Sequence, residues 1–235
     1  TVFCQDVAQA TGLPLSKIRN AVCNTENAPD SGTTSGSRQT LLTGEAVRGA
    51  AVKLADAMKE VDNDLEKLNG KNYFYEYYEP TDKLGADVPY PKSHIAYGFA
   101  THVVILDKKG KVTEVYAAHD SGKVVNPISI QGQIEGGVLM GMGYALTEDW
   151  PLKDCVPQVT YGTLGLLRST QIPNIHAIYV EKEKLLDVAY GAKGIGEIAT
   201  IPTAPAVQGA YYALDGKFRT KLPLEDTFYR PKEEE

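Results

Sequence analysis

From Gln39 onward, apolar residues recur three or four apart at Val47, Ala50, Leu54, Ala57, Val61 and Leu65, a period that predicts a helix ending near Asn69-Gly70. A shorter helix is predicted from about Cys4 to Thr11, stopped by Gly12 with Pro14 beyond it. I-R-N-A-V-C-N (18–24) reads as a short strand, and E-N-A-P-D-S-G-T-T-S-G-S-R (26–38) is too dense in Gly, Ser, Thr and Pro for regular structure. Residues 71–92 are aromatic and Pro-rich, then polar, and read as an irregular excursion. A hairpin follows, H-I-A-Y-G-F-A-T-H-V-V-I-L-D and V-T-E-V-Y-A-A-H-D around the turn K-K-G-K. In N-P-I-S-I-Q-G-Q-I-E-G-G-V-L-M-G-M-G-Y-A-L-T-E-D, Pro127 fits a first helical turn and Ile130, Ile134, Val138 and Met142 mark one face. Each glycine inside that helix costs about 1 kcal/mol relative to alanine, so the helix is expected to pack very closely against a backbone or a ligand. A strand at I-H-A-I-Y-V, a glycine loop and a last helix ending near Gly216 complete the pattern, and the tail P-K-E-E-E is expected to be disordered. No internal repeat is evident.

Composition narrows the function classes. With 235 residues, 43% hydrophobic and 23% charged, the chain matches an ordinary globular protein that can bury a core. A net charge of -6 argues against a general nucleic-acid binder. No apolar run of about 18 residues marks a membrane helix, and the N-terminus lacks the shape of a signal peptide. It also lacks an initiator Met, which fits a processed product or a piece of something longer. Cys4, Cys23 and Cys155 lie far apart with no C-x-x-C, so neither a zinc site nor an iron–sulfur cluster is supported, and no metal ligands are assigned. This sparse, odd count suits buried thiols in a reducing cytoplasm. His94, His102, His119 and His176 show no metal-binding spacing and read as surface or satisfied histidines.

Candidate chemistry concentrates in the 30–39 loop, the glycine-bearing helix around Gln133, and G-A-K-G-I-G-E at 191–197. None is a P-loop, and none gives a dinucleotide fingerprint in a strand–helix–strand unit. S-G-T-T-S-G-S offers backbone N–H groups and hydroxyls just before a helix, as a neutral loop would to bind a phosphate or a pterin-like heterocycle. A flexible solvated loop explains the same composition. A transferase binding a nucleotide phosphate there would also need a P-loop lysine or paired metal-binding acids, and the sequence supplies neither. Glu197, the single acid closing the glycine loop, reads either as a helix N-terminal acid stabilised by the dipole or as a group acting on whatever the loop holds.

Taken in order, P-D-S-G-T-T-S-G-S-R-Q-T-L-L-T-G-E-A-V, V-V-N-P-I-S-I-Q-G-Q-I-E-G-G-V-L-M-G-M-G-Y-A-L-T-E and G-A-K-G-I-G-E-I-A-T-I-P-T-A-P-A-V resemble the molybdenum hydroxylases. That is the xanthine dehydrogenase and aldehyde oxidase family, in the C-terminal part of its molybdopterin-binding subunit. The resemblance spans roughly residues 1–225, least familiar over 71–92. It implies an α+β fold, mixed sheets packed by helices. It orders the chain as a cofactor segment (1–70), a linker or excursion (71–92), a second segment with the Gln133 helix and Glu197 loop (93–225), and a tail (226–235).

By the same resemblance Glu197 is the catalytic base, and Gln133 contacts the pterin dithiolene. Thr34, Ser35, Gly36, Ser37, Arg38 and Gln39 wrap the pterin and phosphate, Ile195 and Gly196 lie beside the metal, and Lys193 contacts the cofactor or braces the loop. The implied reaction is hydroxylation, with water, of an electron-poor carbon in a purine-like N-heterocycle of the xanthine or hypoxanthine dehydrogenase type. An aldehyde, nicotinate, an aryl-CoA thioester or a catalytically inert scaffold role remain alternatives, and some such dehydrogenases depend on selenium. A catalytic base works best in a dry pocket, where desolvation raises a carboxyl group's pKa.

The implied cofactor is Mo-molybdopterin in its cytosine dinucleotide form, shared with the rest of the molybdenum subunit. Iron–sulfur clusters and FAD are expected on partner domains or subunits; no nucleic acid or membrane partner is expected. The family's earlier part carries a phenylalanine-containing glycine loop and substrate-clamping residues that have no counterpart here, so the chain alone is expected neither to hold the cofactor nor to turn over.

Overall fold

The computed structural model describes residues 1–21, 24–181 and 187–231. It forms two compact units: Thr1–Tyr97 with Ser121–Asn126 and Glu181–Gly194, and Gly98–Asp120 with Pro127–Val180 and Ile195–Glu235. Neither is one consecutive stretch; the expected boundaries at 70 and 92 both fall inside the first unit, and the glycine loop is divided at 194/195.

In the first unit, α1 (Val2–Thr11) ends where Gly12, at φ 72°, takes the left-handed conformation and returns its N–H to the Ala8 carbonyl. No strand follows: residues 18–21 are irregular, and the remainder of that expected strand, with Cys23, is outside the described residues except for Asn24. The 26–38 loop is irregular as expected, and α2 begins at Gln39. It stops at Glu60, short of Asn69, because Asp62 and Asn63 turn to positive φ (53° and 61°), a conformation short polar side chains tolerate. A separate 3₁₀ turn, Leu65–Leu68, carries the apolar pattern past the break. The buried face of α2 also differs from the predicted one. Leu41, Gly44, Glu45, Gly49, Ala51 and Met58 are buried, while Val47, Ala50, Leu54 and Ala57 are half-buried. Residues 71–80 explain part of the difference: Tyr75 packs on Gly49, and Lys53 Nζ donates to the Phe74 carbonyl at 2.7 Å.

The second unit holds a three-stranded sheet. β1 (Phe99–Leu106) pairs antiparallel with β2 (Val112–Asp120), Phe99 opposite Asp120. The expected hairpin therefore starts at 99 rather than 94. Its turn is made by Asp107, whose carboxylate accepts the Lys109 and Lys111 N–H groups. Next come α3 (Pro127–Leu146), a short ladder of β3 (Leu152–Lys153) with β4 (Val156–Pro157), β5 (Asn174–Tyr179) parallel to β2, and α4 (Thr203–Asp215). Sheet order is β1-β2-β5, a mixed sheet packed by α3 and α4, hence an α+β fold. Ile130, Ile134, Val138 and Met142, the predicted face of α3, are all buried with Val115, Val207 and Tyr211.

The close approach expected of α3 holds on one side. A Cβ on Gly137 would stand 2.4 Å from the Ala199 methyl, and one on Gly141 2.5 Å from Thr203 Cβ. On Gly132 and Gly136 it would meet nothing within 4 Å.

The expectation of buried thiols changes, and that of surface or satisfied histidines holds for His102 but not for the buried His119, whose Nδ1 has no hydrogen-bond partner. Cys4 is half-buried and Cys155 exposed, so neither described thiol is buried. His102 and His119 are buried and bonded Nε2 to Nε2 at 2.8 Å, with His102 Nδ1 3.0 Å from the Thr203 hydroxyl. Burial drives both imidazoles below the usual histidine range, His102 to about 4 with added repulsion from His119. The disordered tail expected at 231–235 lies, past Pro231, outside the described residues.

Candidate functional site

The first unit contributes a loop locked by absent side chains. Leading into α2, Arg38 folds back and donates Nε and Nη2 to the Thr33 carbonyl (3.1 and 2.7 Å), and the Thr34 hydroxyl donates to Gln39 Oε1 at 2.7 Å. Gly36 and Ser37 both have positive φ (65° and 55°), which reverses the chain just before the helix. A Cβ on Gly36 would lie 2.2 Å from His94 Nε2, and one on Gly194 would lie 1.1 Å from the Ser37 carbonyl oxygen. The 34–39 and 191–194 segments, far apart in sequence, are therefore in direct backbone contact. Lys193 is buried; its N–H donates to the Ser121 carbonyl at 3.0 Å and its Nζ to the Tyr97 carbonyl at 2.9 Å. That geometry is a brace. Upstream, buried Glu45 on α2 accepts the Ala189 N–H (2.6 Å) and a two-pronged contact from Arg48. Burial alone would raise this carboxyl group, but the Arg48 and Ala189 donors outweigh it and hold Glu45 below its ordinary pKa.

His94 was missed by spacing arguments, which test histidines only against metal or catalytic patterns. Its Nδ1 lies 2.9 Å from the Ala96 carbonyl and so carries the proton; its Nε2, shielded from solvent and without a hydrogen-bond partner, faces Gly36. The glycine at 36 in a predicted ligand loop was the available signal: something had to occupy the space its side chain leaves.

The second unit carries Gln133, Ile195, Gly196 and Glu197. Gln133, exposed near the start of α3, donates Nε2 to the Gly196 carbonyl at 2.9 Å. This bond fixes the residue before Glu197 and leaves Gln133 Oε1 for other work. Ile195 is half-buried, while Gly196 and Glu197 are exposed. The dry pocket expected around Glu197 is thus not built by this chain's own residues. After Glu197 the chain turns, Thr200 N–H on the Glu197 carbonyl at 3.0 Å, and buries Ala199 against α3 before α4 begins.

The donor set of the first-unit loop fits a phosphate-bearing heterocycle. Thr34, Ser35 and Gly36 are exposed, α2 begins with no side-chain cap and no acid in its first turn, and a neutral loop precedes it. Among the described residues, no group of three or more His, Cys, Asp or Glu side chains is arranged to hold a metal ion directly. No described helix is long and apolar enough to cross a membrane.

These features coincide with a known family. Residues 1–173 match the molybdopterin cofactor-binding domain, and the chain belongs to that family, within the xanthine dehydrogenase and aldehyde oxidase group of molybdenum hydroxylases. It is 30% identical, over 95% of its length and 33% of the relative's, to 6-hydroxypseudooxynicotine dehydrogenase complex subunit gamma of Paenarthrobacter nicotinovorans. It is 26% identical, over 95% of its length and 34% of the relative's, to the xanthine dehydrogenase molybdenum-binding subunit of Escherichia coli O157:H7. The solved aldehyde oxidoreductase of Desulfovibrio gigas superposes with a TM-score of 0.75 at 25% identity, covering 97% of this chain and 26% of that one. The chain thus spans between about a quarter and a third of the length of these relatives.

Proposed function

We propose that this chain is part of the molybdenum subunit of a hydroxylase acting on an electron-poor carbon of a purine-like N-heterocycle. The overall reaction is R–H + H₂O → R–OH + 2 H⁺ + 2 e⁻. The observation that carries the reading is the Gly194–Ser37 backbone contact within the first unit, which holds the proposed phosphate-binding loop against the 191–194 glycine segment; Glu197 follows that segment in sequence.

Thr34, Ser35, Gly36 and Ser37 would hold the pterin and phosphate of a molybdopterin cytosine dinucleotide through hydroxyl and backbone donors. Arg38 and Gln39 keep the loop closed, and Lys193 ties the 191–194 segment to the Tyr97 and Ser121 carbonyls. When bound, that group supplies the two-electron redox chemistry. Gln133 holds the Gly196 carbonyl, and its Oε1 would contact the pterin; Ile195 and Gly196 would lie beside the metal, and the Glu197 carboxylate would take the proton that water must lose. The remaining part of the molybdenum subunit closes the pocket over Glu197. Iron–sulfur and flavin domains or subunits in the cytoplasm carry the electrons away.

The 30% identity to a relative named for a nicotine-derived compound, and the superposition on an aldehyde oxidoreductase, favour a second reading in which the substrate is a nicotinate-like heterocycle or an aldehyde. Metal and pterin analysis of the native complex beside the isolated chain tests the proposal. Molybdenum and cytosine-containing pterin in the complex, absent from the chain alone, is the expected result, followed by turnover of purines above aldehydes. A complex without molybdenum overturns it.

A further inference from the structure

The two sides of α3 use glycine differently. Gly137 and Gly141 admit the backbone at Ala199 and Thr200, whereas Gly132 and Gly136 meet nothing within 4 Å, although an interior helix glycine is disfavoured in every case. Gly132 and Gly136, one turn apart, form the floor of a groove of about 390 Å³ walled by Leu139, Ile172, Pro173 and Ile175. Apolar side chains continue the same helix face on either side: Ile128 is 86% exposed and Met140 65%.

We propose that this groove is the docking site for the part of the molybdenum subunit that lies outside this chain, joined to it or separate, and that a segment of that part enters backbone-first over Gly132 and Gly136. The inference rests on the functional reading above. Relatives are about three times as long as this chain, so a large remaining part has to pack against it. The groove's one charged residue, Glu135, bonded to Gln131 at 2.7 Å, would repel a phosphate-bearing ligand. A polypeptide with an apolar face meets no such repulsion, and the glycine floor matches what Gly137 and Gly141 do on the other side of the helix.

The test places a photoactivatable cross-linking residue at Leu139, and as a control at Gly209, an exposed glycine of α4 that likewise meets nothing within 4 Å. Both are read in the native assembly purified from its host, with molybdenum measured on the same sample. The Leu139 probe is expected to cross-link to peptides of the remaining molybdenum-subunit part, and the Gly209 probe is not. Gly136→Ala is expected to raise the unfolding temperature of the isolated chain and lower that of the assembly, whereas Gly209→Ala raises both. Cross-links only to a second copy or to electron-transfer subunits, or a Gly136→Ala that raises both temperatures, overturn the proposal. If the assembly contains molybdenum while these results fail, the docking inference falls and the functional reading stands. An assembly without molybdenum removes the functional reading, whatever the cross-links show.

Discussion

The two sets of candidate residues, one in each unit, are built in opposite ways. In the first unit the loop residues are held by what is missing: no Cβ fits at Gly36 or Gly194, and beside Gly194 the buried Lys193 sets its ammonium on the Tyr97 carbonyl. In the second unit Gln133, Gly196 and Glu197 are exposed, with the Gln133–Gly196 hydrogen bond beside the acid. A holding site needs rigidity before the ligand arrives, whereas a reacting group has to stay accessible until partner surface closes over it.

Substitutions can break or sharpen this contrast. The largest effect is expected from Glu197→Gln in the native complex: turnover falls by about 10² to 10⁴ while molybdenum content is unchanged. Equal loss of both would place Glu197 with the holding residues. Gly194→Ala drives a methyl group into the Ser37 carbonyl and is expected to cost about 3 kcal/mol of stability, with parallel loss of bound pterin; full pterin occupancy in a stable variant would show that the contact holds nothing.

The units should also differ in their response to pH. Burial pushes the Asp6 carboxyl group in the first unit up to about 6. The folded state therefore keeps a proton that the unfolded chain has released between about pH 4 and 6, and this contribution to stability falls as pH rises through that window. His102, pushed down to about 4, does the reverse. The unfolded chain binds a proton that the folded state refuses, so stability is lost as pH falls from about 6.5 toward 4. Asp6→Asn should stabilise the chain at pH 7 by on the order of 2 kcal/mol and weaken the falling limb, as denaturant unfolding at a series of pH values would show. The smallest effect is expected from Gln133→Leu: an exposed hydrogen bond contributes about 1 kcal/mol or less, so this variant should keep its stability and lose turnover only modestly.

Much of the fold could be read from local chemistry. Gly12 and Gly216 end helices where single glycines after periodic runs said they would, and the buried stripe of α3 was legible at a spacing of four. The strand expected at 18–24 failed over its described residues 18–21 because a short apolar run carries no information about whether a partner strand exists. The face of α2 was misjudged because residues 71–80 cover part of it, a contact no helical period can report. At the site, the loops and the acid were visible as motifs. Their locks were not: His94 and Ala189 act through partners 58 and 144 positions away along the chain, at Gly36 and Glu45.

The histidine pair in the second unit has a consequence of its own. An Nε2-to-Nε2 bond needs one donor and one acceptor, so at neutral pH the two rings must be opposite tautomers. If His102 donates Nδ1–H to the Thr203 hydroxyl, the bridging proton belongs to His119, whose Nδ1 is then a bare lone pair, in keeping with its lack of a partner. That bridging proton sits in the core, out of reach of water until the sheet and α4 part. Its exchange with deuterium would act as a clock, counting openings of the second unit alone.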